Sequence, residues 1–472
     1  MNSAGLTSRQ SGTQGFTRGQ QGFHIVGTVG GFTFFLYLYF LLDFFLRFSV
    51  RVPAYGMIRP TLLLVLALTA LLVLQKEKLK GWTKDPVIQG ILVFVGYLIL
   101  SLALVEWPGS VIRNNLPDFV KAVVFLFFTA LIVDSEKRLK VFLIVFVGCQ
   151  LVRVVEPLFL NITQGYWGDR AHLGGGEFTN RLAGAPADVI NPNELGFVIV
   201  TIIPFLHYLV WPGRFKAKLF YLAVMPALLY ALILTQSRGA FLALLVVAWM
   251  IFKESNRKMA LIVLAIAIGI AGWSVMSSEQ KDRYLSLVGM SESANTASAQ
   301  GRFRGMLNEF DLAMSRPIVG HGLGTTPEAK VNVLGSRSQA AHNFYAEILI
   351  ETGILGFMLF MRFLMKVYGK FRNNRKILEN AESDSGLSFY RRLNQALIAV
   401  FWMYVVYSTN YWGLSQYYWY LFAGLTIVLS RLLPKQLNWK DTASDNDMKP
   451  LKMRFARLPQ RHRGITVRSG RR

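Results

Sequence analysis

From Ile25 onward, long apolar runs alternate with short polar segments, and twelve of the runs read as helices in a bilayer. They cover roughly Ile25–Leu46, Pro60–Leu74, Val87–Val105, Phe119–Val133, Leu139–Leu160, Leu195–Trp211, Leu219–Leu234, Gly239–Phe252, Met259–Met276, Asn343–Val367, Leu397–Thr409 and Tyr417–Leu433. A hydrocarbon core of about 30 Å takes about 20 apolar residues in α-helix, and in lipid only helices or closed barrels satisfy the backbone polar groups. The pattern predicts an all-α polytopic integral membrane protein with about twelve transmembrane helices. Two longer polar connections interrupt it, residues 161–193 and residues 277–342. The second lies between spans 9 and 10 and is the only polar piece large enough to fold by itself. Residues 1–24 read as a retained polar tail, because the first apolar run is too long for a signal peptide and lacks a small-residue cleavage site. Residues 25–433 then form the transmembrane domain, and residues 434–472 a basic tail expected to be disordered.

Charge gives this frame a direction. Of 472 residues 53% are hydrophobic and 17% charged, yet the formal net charge is +24, so positive charge is concentrated between the apolar runs and no soluble catalytic domain has room to exist. Basic clusters at Lys76–Lys84, Glu136–Lys140, Arg214–Lys218, Lys253–Lys258 and Lys370–Lys376 occupy alternate loops, with the basic tail on their side. The positive-inside rule makes that side cytoplasmic and turns both long connections to the opposite face, which in a bacterium is the periplasm or the cell exterior. Arg47, Arg51 and Arg59 in the first outer loop run against the rule. The basic tail reads as positive-inside bias with attraction to anionic membrane lipids, and no nucleic acid partner is expected. Cys149, the single cysteine, lies in an apolar run and gives neither a disulfide framework nor a cysteine metal site.

Candidate chemistry gathers on the outer face. Arg238, in "QSRG", opens the eighth span; a lone arginine there can snorkel to the interface, but the helix N-terminus already favours an anion, which suggests a phosphate site. His342 opens the tenth span, where the helix field favours a neutral imidazole, and Asn343, Glu347 and Glu351 recur every fourth residue on one stripe. Carboxylates inside a span are costly unless they serve a polar site, although a capping histidine with glutamates satisfied inside the bundle is the alternative. Arg302 in "GRFRG", the glycines of "GHGLG" and Arg181 before the Asn-Pro-Asn turn lie in the two outer connections. Lower in rank stand Lys121 near the outer end of the fourth span, an expected Arg153–Glu156 pair at a spacing of three, and His207 and Asp43, which show no partners in the sequence. "DND" at Asp445–Asp447 reads as a solvated acidic patch, and no convincing metal cluster is seen.

"NPNELG" (residues 191–196), "SRGAFLAL" (237–244), "GHGLG" (320–324) and "HNFYAEILIETGILG" (342–356) together resemble the O-antigen ligase and polysaccharide polymerase superfamily of multi-span glycosyltransferases. The resemblance extends from about Arg181 to Phe360; the first five spans match in hydropathy alone. It implies a metal-independent, inverting transfer of an undecaprenyl-diphosphate-linked glycan on the periplasmic face, with no cofactor. The acceptor is a lipid A core for a ligase or a growing glycan for a polymerase. It also implies His342 and Arg238 as catalytic residues and Arg302 as a second contact to the diphosphate. Arg181, Lys121, Asn343, Glu347 and Glu351 complete the expected substrate contacts. A sugar diphosphate already carries a good leaving group, so charge stabilisation and one base for the acceptor hydroxyl suffice. The absence of a clear pair of arginine-and-glycine loops tilts the reading toward ligase chemistry. A lipid-linked glycan transporter or flippase is the rival class; it calls for charges through the midplane and along both faces, whereas the unusual charges here gather on one.

Overall fold

Apolar runs become helices because a helix satisfies its own backbone, and the capping residues of this sequence set where several of them start. A computed structural model of the chain describes residues 27–174, 177–285, 294–381, 385–411 and 413–447. The predicted tail 1–24 lies outside the described residues, as do the side chains beyond Leu433, including the acidic triplet Asp445–Asp447. The chain divides into two units, residues 1–433 and 434–472.

The first unit begins with α1 (Gly31–Leu46), α2 (Phe48–Arg51), α3 (Pro53–Gly56), α4 (Pro60–Leu74), α5 (Pro86–Ser101), α6 (Pro108–Ser110), α7 (Leu116–Ile132) and α8 (Glu136–Gln164). After a hairpin come α9 (Pro192–Phe205), α10 (Phe215–Thr235), α11 (Arg238–Glu254), α12 (Lys258–Val275), α13 (Ser278–Leu285), α14 (Ala294–Ser315), α15 (Thr326–Asn332), α16 (Phe344–Asn380), α17 (Ser388–Tyr407) and α18 (Tyr418–Asp447). Each apolar run predicted from the sequence overlaps one of these helices. Six of the described helical stretches are long and apolar enough to cross a membrane, and a seventh counts if the bent pair Lys76–Lys84 and Pro86–Ser101 is one span. That is fewer than the twelve predicted, because runs such as α1, α4 and Tyr418–Leu433 are shorter than the bilayer core requires. The chain is a polytopic helical membrane protein. α12 buries none of its residues, as expected of a helix surrounded by lipid at the edge of a bundle.

Two departures from simple helices matter for the site. The connection expected as an irregular loop at 161–193 folds into an antiparallel hairpin, β1 (Gly168–Gly174) with β2 (Glu177–Leu182), in register Gly168 to Leu182 and Asp169 to Arg181. The architecture is therefore helical with one small hairpin.

The second departure is a break in α16 at Gly353, whose φ of 62° and ψ of −173° are not helical. A break frees backbone groups that must find partners. Here the glycine-rich connection supplies them. His321 N–H donates to the Ile350 carbonyl (2.8 Å) and Gly322 N–H to the Glu351 carbonyl (3.0 Å). The Tyr97 hydroxyl donates to the Thr352 carbonyl (2.7 Å), and the Pro317 carbonyl accepts from Ile354 N–H (2.8 Å). The approach is close: a Cβ on Gly320, at φ +72°, would lie 2.6 Å from backbone atoms of Glu351, Thr352 and Gly353.

Candidate functional site

The N-termini of α9, α11 and α16 converge on the C-terminal end of α17. At α9, Asn191 Oδ1 accepts from Asn193 and Glu194 N–H while Glu194 Oε2 accepts from Asn191 N–H, a reciprocal cap. Tyr407 of α17 donates its hydroxyl to the Asn193 carbonyl (2.8 Å), and Tyr411 donates to Glu194 Oε1 (2.8 Å). Burial holds the Tyr411 hydroxyl well above the usual phenol range, with Tyr418 and Glu194 adding to the shift, so it remains a donor. Two glycines permit the crowding: a Cβ on Gly196 would fall 2.6 Å from Ala240 Cβ, and one on Gly239 would fall 2.9 Å from Asn410 Nδ2.

Arg238 is the first residue of α11, capped by Ser237, whose Oγ accepts from Ala240 N–H (3.3 Å). Only 6% of Arg238 is exposed. A lipid-facing arginine that snorkels would keep its head at the surface, so burial argues for a role inside the protein. The turn before it is held by Gln236, which sits in the left-handed region at φ +50° and is fully buried. Its Nε2 donates to Thr179 Oγ1 (3.1 Å) and the Asn180 carbonyl (2.9 Å), tying the hairpin to the start of α11. A buried non-glycine residue with positive φ is costly and persists only where its surroundings over-determine it.

His342 lies two residues before the first turn of α16. The cap is Asn343, whose Oδ1 accepts from Tyr345 N–H (2.8 Å) and Ala346 N–H (3.3 Å), so the alternative of a capping histidine is set aside and His342 stands one residue outside the cap. The His342 backbone N–H donates to Glu309 Oε1 (2.9 Å), and its ring lies against Gly305 of α14. Tyr345 donates to the Val405 carbonyl (2.8 Å), which brings the start of α16 to the same end of α17 as Gly239 and therefore Arg238. Glu347 and Glu351 are both buried and both engaged. Glu347 Oε2 accepts from Gly413 and Leu414 N–H (2.6 and 3.2 Å), and Glu351 Oε1 accepts from Thr326 Oγ1 (2.8 Å). They tie the connections 408–417 and 320–326 to the helix.

The remaining predicted residues divide. Arg181 is buried and anchors β2, donating from Nε to the last carbonyl of α10, at Thr235 (3.0 Å), and from Nη2 to Asn193 Oδ1 (2.9 Å). Lys121 is half exposed and pairs with Asp118 (2.9 Å) one turn back. Arg302 belongs to α14, its side chain outside the described residues. The expected Arg153–Glu156 pair does not form: Arg153 makes a buried fork to Asp188 (2.6 and 3.2 Å), while Glu156 takes Arg51 (2.8 Å). Spacing of three allows a pair but does not exclude better long-range partners. Asp43 does have a partner, Thr61 Oγ1 (2.8 Å), and His207 has Tyr221 (3.3 Å).

Sequence reasoning missed three groups. His321, expected only as part of a glycine turn, is buried between Glu106 (2.6 Å from Nδ1) and Ser315 (3.0 Å from Nε2), stacked on Trp107, and so His342 is not alone among the histidines in having polar neighbours. Glu309 and Lys330 form a buried ion pair (2.6 Å) joining α14 to α15. Gln236 holds the turn before Arg238. No periodic signal marks any of them, since each partner lies far along the chain or on an irregular segment. Among the described residues no group of three or more His, Cys, Asp or Glu is placed to hold a metal ion.

The residues that follow Arg238 and His342 in the chain, Gly239 and Tyr345, thus meet the C-terminal end of α17, beside a polar rim of tyrosine, asparagine and glutamate. Among known families, the one described as O-antigen ligase matches residues 220–361, from within α10 to the first half of α16. No curated protein matches the chain.

Proposed function

We propose, from the O-antigen ligase domain at residues 220–361, that this membrane enzyme transfers an undecaprenyl-diphosphate-linked glycan to an acceptor sugar hydroxyl at the periplasmic face of a bacterial inner membrane. The observation that carries the reading is the burial of Arg238 at the end of the bundle where His342 enters α16. A guanidinium there offers a planar fork to two phosphate oxygens. In the proposed step the acceptor hydroxyl gives its proton to the His342 imidazole as its oxygen bonds to the anomeric carbon. The bond from that carbon to the diphosphate oxygen breaks, and undecaprenyl diphosphate leaves with the bonding pair. Attack opposite the leaving group inverts the anomeric configuration. Arg238 and Arg302 stabilise the charge gathering on the diphosphate, so the step needs no metal ion.

The test supplies purified protein with an undecaprenyl-diphosphate glycan and either lipid A core or a second lipid-linked glycan, in the presence of a chelator, and identifies the product by mass. Glycan joined to lipid A core supports the ligase assignment. A lengthened lipid-linked glycan makes the enzyme a polymerase. Movement of intact donor across a vesicle bilayer with no new glycosidic bond refutes the enzyme reading in favour of a flippase.

A further inference from the structure

We infer that Glu309, held by Lys330, is a positioning residue that fixes His342 for proton transfer; the inference rests on the role proposed for His342. Four observations meet at this carboxylate. Glu309 is 1% exposed, and its Oε1 accepts both from Lys330 Nζ (2.6 Å) and from the backbone N–H of His342 (2.9 Å). Lys330 is itself buried, and its Nζ also donates to the Ala340 carbonyl (3.0 Å), two residues before His342. Gly305, one turn before Glu309 on α14, lies under the His342 ring: a Cβ there would be 3.8 Å from Cδ2. The second carboxylate oxygen, Oε2, is buried and has no hydrogen-bond partner among the described residues.

The arrangement does more than close a loop. The lead-in 340–342 carries no regular structure, so no helix or strand of its own sets the path of the backbone at His342. Direction comes from outside: one face of α14 meets the ring through Gly305 and the backbone through Glu309, and Lys330 secures both the carboxylate and the preceding carbonyl. A buried ion pair is an expensive way to stabilise a fold, since apolar residues of similar size often do as well. Its use beside the one histidine proposed to move a proton is explained by geometry, because a base must be held within hydrogen-bond reach of the proton it removes.

The experiment is a double-mutant cycle on the purified full-length enzyme with lipid-linked donor and acceptor. The variant Glu309→Gln with Lys330→Met removes both buried charges together and so avoids stranding one of them. Glu309→Asp is the conservative companion. The expected result is a fall in kcat on the order of 10²-fold for the paired variant, the scale of a misplaced catalytic group, with donor KM unchanged and a partial return of kcat in Glu309→Asp. In a His342→Ala background the paired substitution should cost nothing further, because residues acting as a unit are not additive. An equal fall in kcat with and without His342 overturns the positioning role while leaving the histidine reading intact. Full turnover by His342→Ala itself removes the premise. A paired variant with wild-type kcat and only a lower melting temperature makes Glu309 and Lys330 purely structural and also overturns the proposal.

Discussion

Substitution of Gly320 by alanine tests the close approach of the glycine-rich connection to the broken helix. The new methyl carbon would stand 2.6 Å from the carbonyl carbon of Glu351 and from the amide nitrogens of Thr352 and Gly353. All three are backbone atoms, so no side chain can swing aside. Left-handed backbone at φ +72° adds about 1–2 kcal/mol for any residue with a Cβ, and forcing a methyl into a filled space adds about 1–3 kcal/mol. The expected loss is about 2–5 kcal/mol. If the segments part instead, the bonds from His321 and Gly322 to the carbonyls of Ile350 and Glu351 are lost. Thermal unfolding of purified protein in detergent, followed by loss of the monodisperse peak, should show a midpoint several degrees lower. Gly148→Ala is the control: Gly148 is helical, and a Cβ there meets nothing within 4 Å. It should be neutral or mildly stabilising, since alanine exceeds glycine in helix propensity. Equal midpoints for Gly320→Ala, Gly148→Ala and the parent protein would refute the reasoning.

Arg238→Lys should remove most glycan transfer at normal expression, because an ammonium cannot replace a guanidinium fork in a buried site; full activity would return Arg238 to an interfacial anchor. His342→Gln should lower turnover by about 10²–10⁴-fold with donor binding unchanged, measured as kcat beside donor affinity, and wild-type turnover would move the proton acceptor elsewhere. In a Cys149→Ser background, cysteines at Val189 and Ser338 should react with an impermeant maleimide from outside the inner membrane and cysteines at Lys216 and Asn256 only after permeabilisation; the reverse pattern sinks the proposed orientation. Arg153→Ala leaves the buried Asp188 carboxylate with only the longer pairing to Arg47 (3.9 Å) and should destabilise by about 3 kcal/mol, whereas Arg51→Ala, which breaks the partly exposed bond to Glu156, should cost no more than about 1 kcal/mol; equal melting of the two would contradict the assigned partners.

Hydropathy located the helices because burial in lipid acts on every residue of a run, whereas Ser237, Asn191 and Asn343 were not singled out as caps from the sequence. The O-antigen ligase resemblance agrees with the family match, which covers all of it from residue 220 onward. What stayed hidden depends on partners remote in sequence. Arg153 lies 35 positions from Asp188, and Lys330 lies 21 from Glu309, so spacing rules built for one helix turn cannot find them. The hairpin at 168–182 escaped because its short strands lack a sustained alternation of apolar and polar residues. Gly353 looked like an ordinary glycine in an apolar run; its break depends on the backbone of residues 317–322 being present beside it.

That dependence has a consequence for synthesis. Residues 317–322 are made before residues 350–355, so the segment that completes the broken helix leaves the ribosome first. It is therefore available before the second half of α16 is made, and without it the half-helix would emerge with the carbonyls of Ile350 and Glu351 bare. Chain order and hydrogen-bond order therefore agree, and a rearranged gene placing the glycine-rich segment after α16 would ask the membrane to accept an unfinished helix while it waited for its other edge.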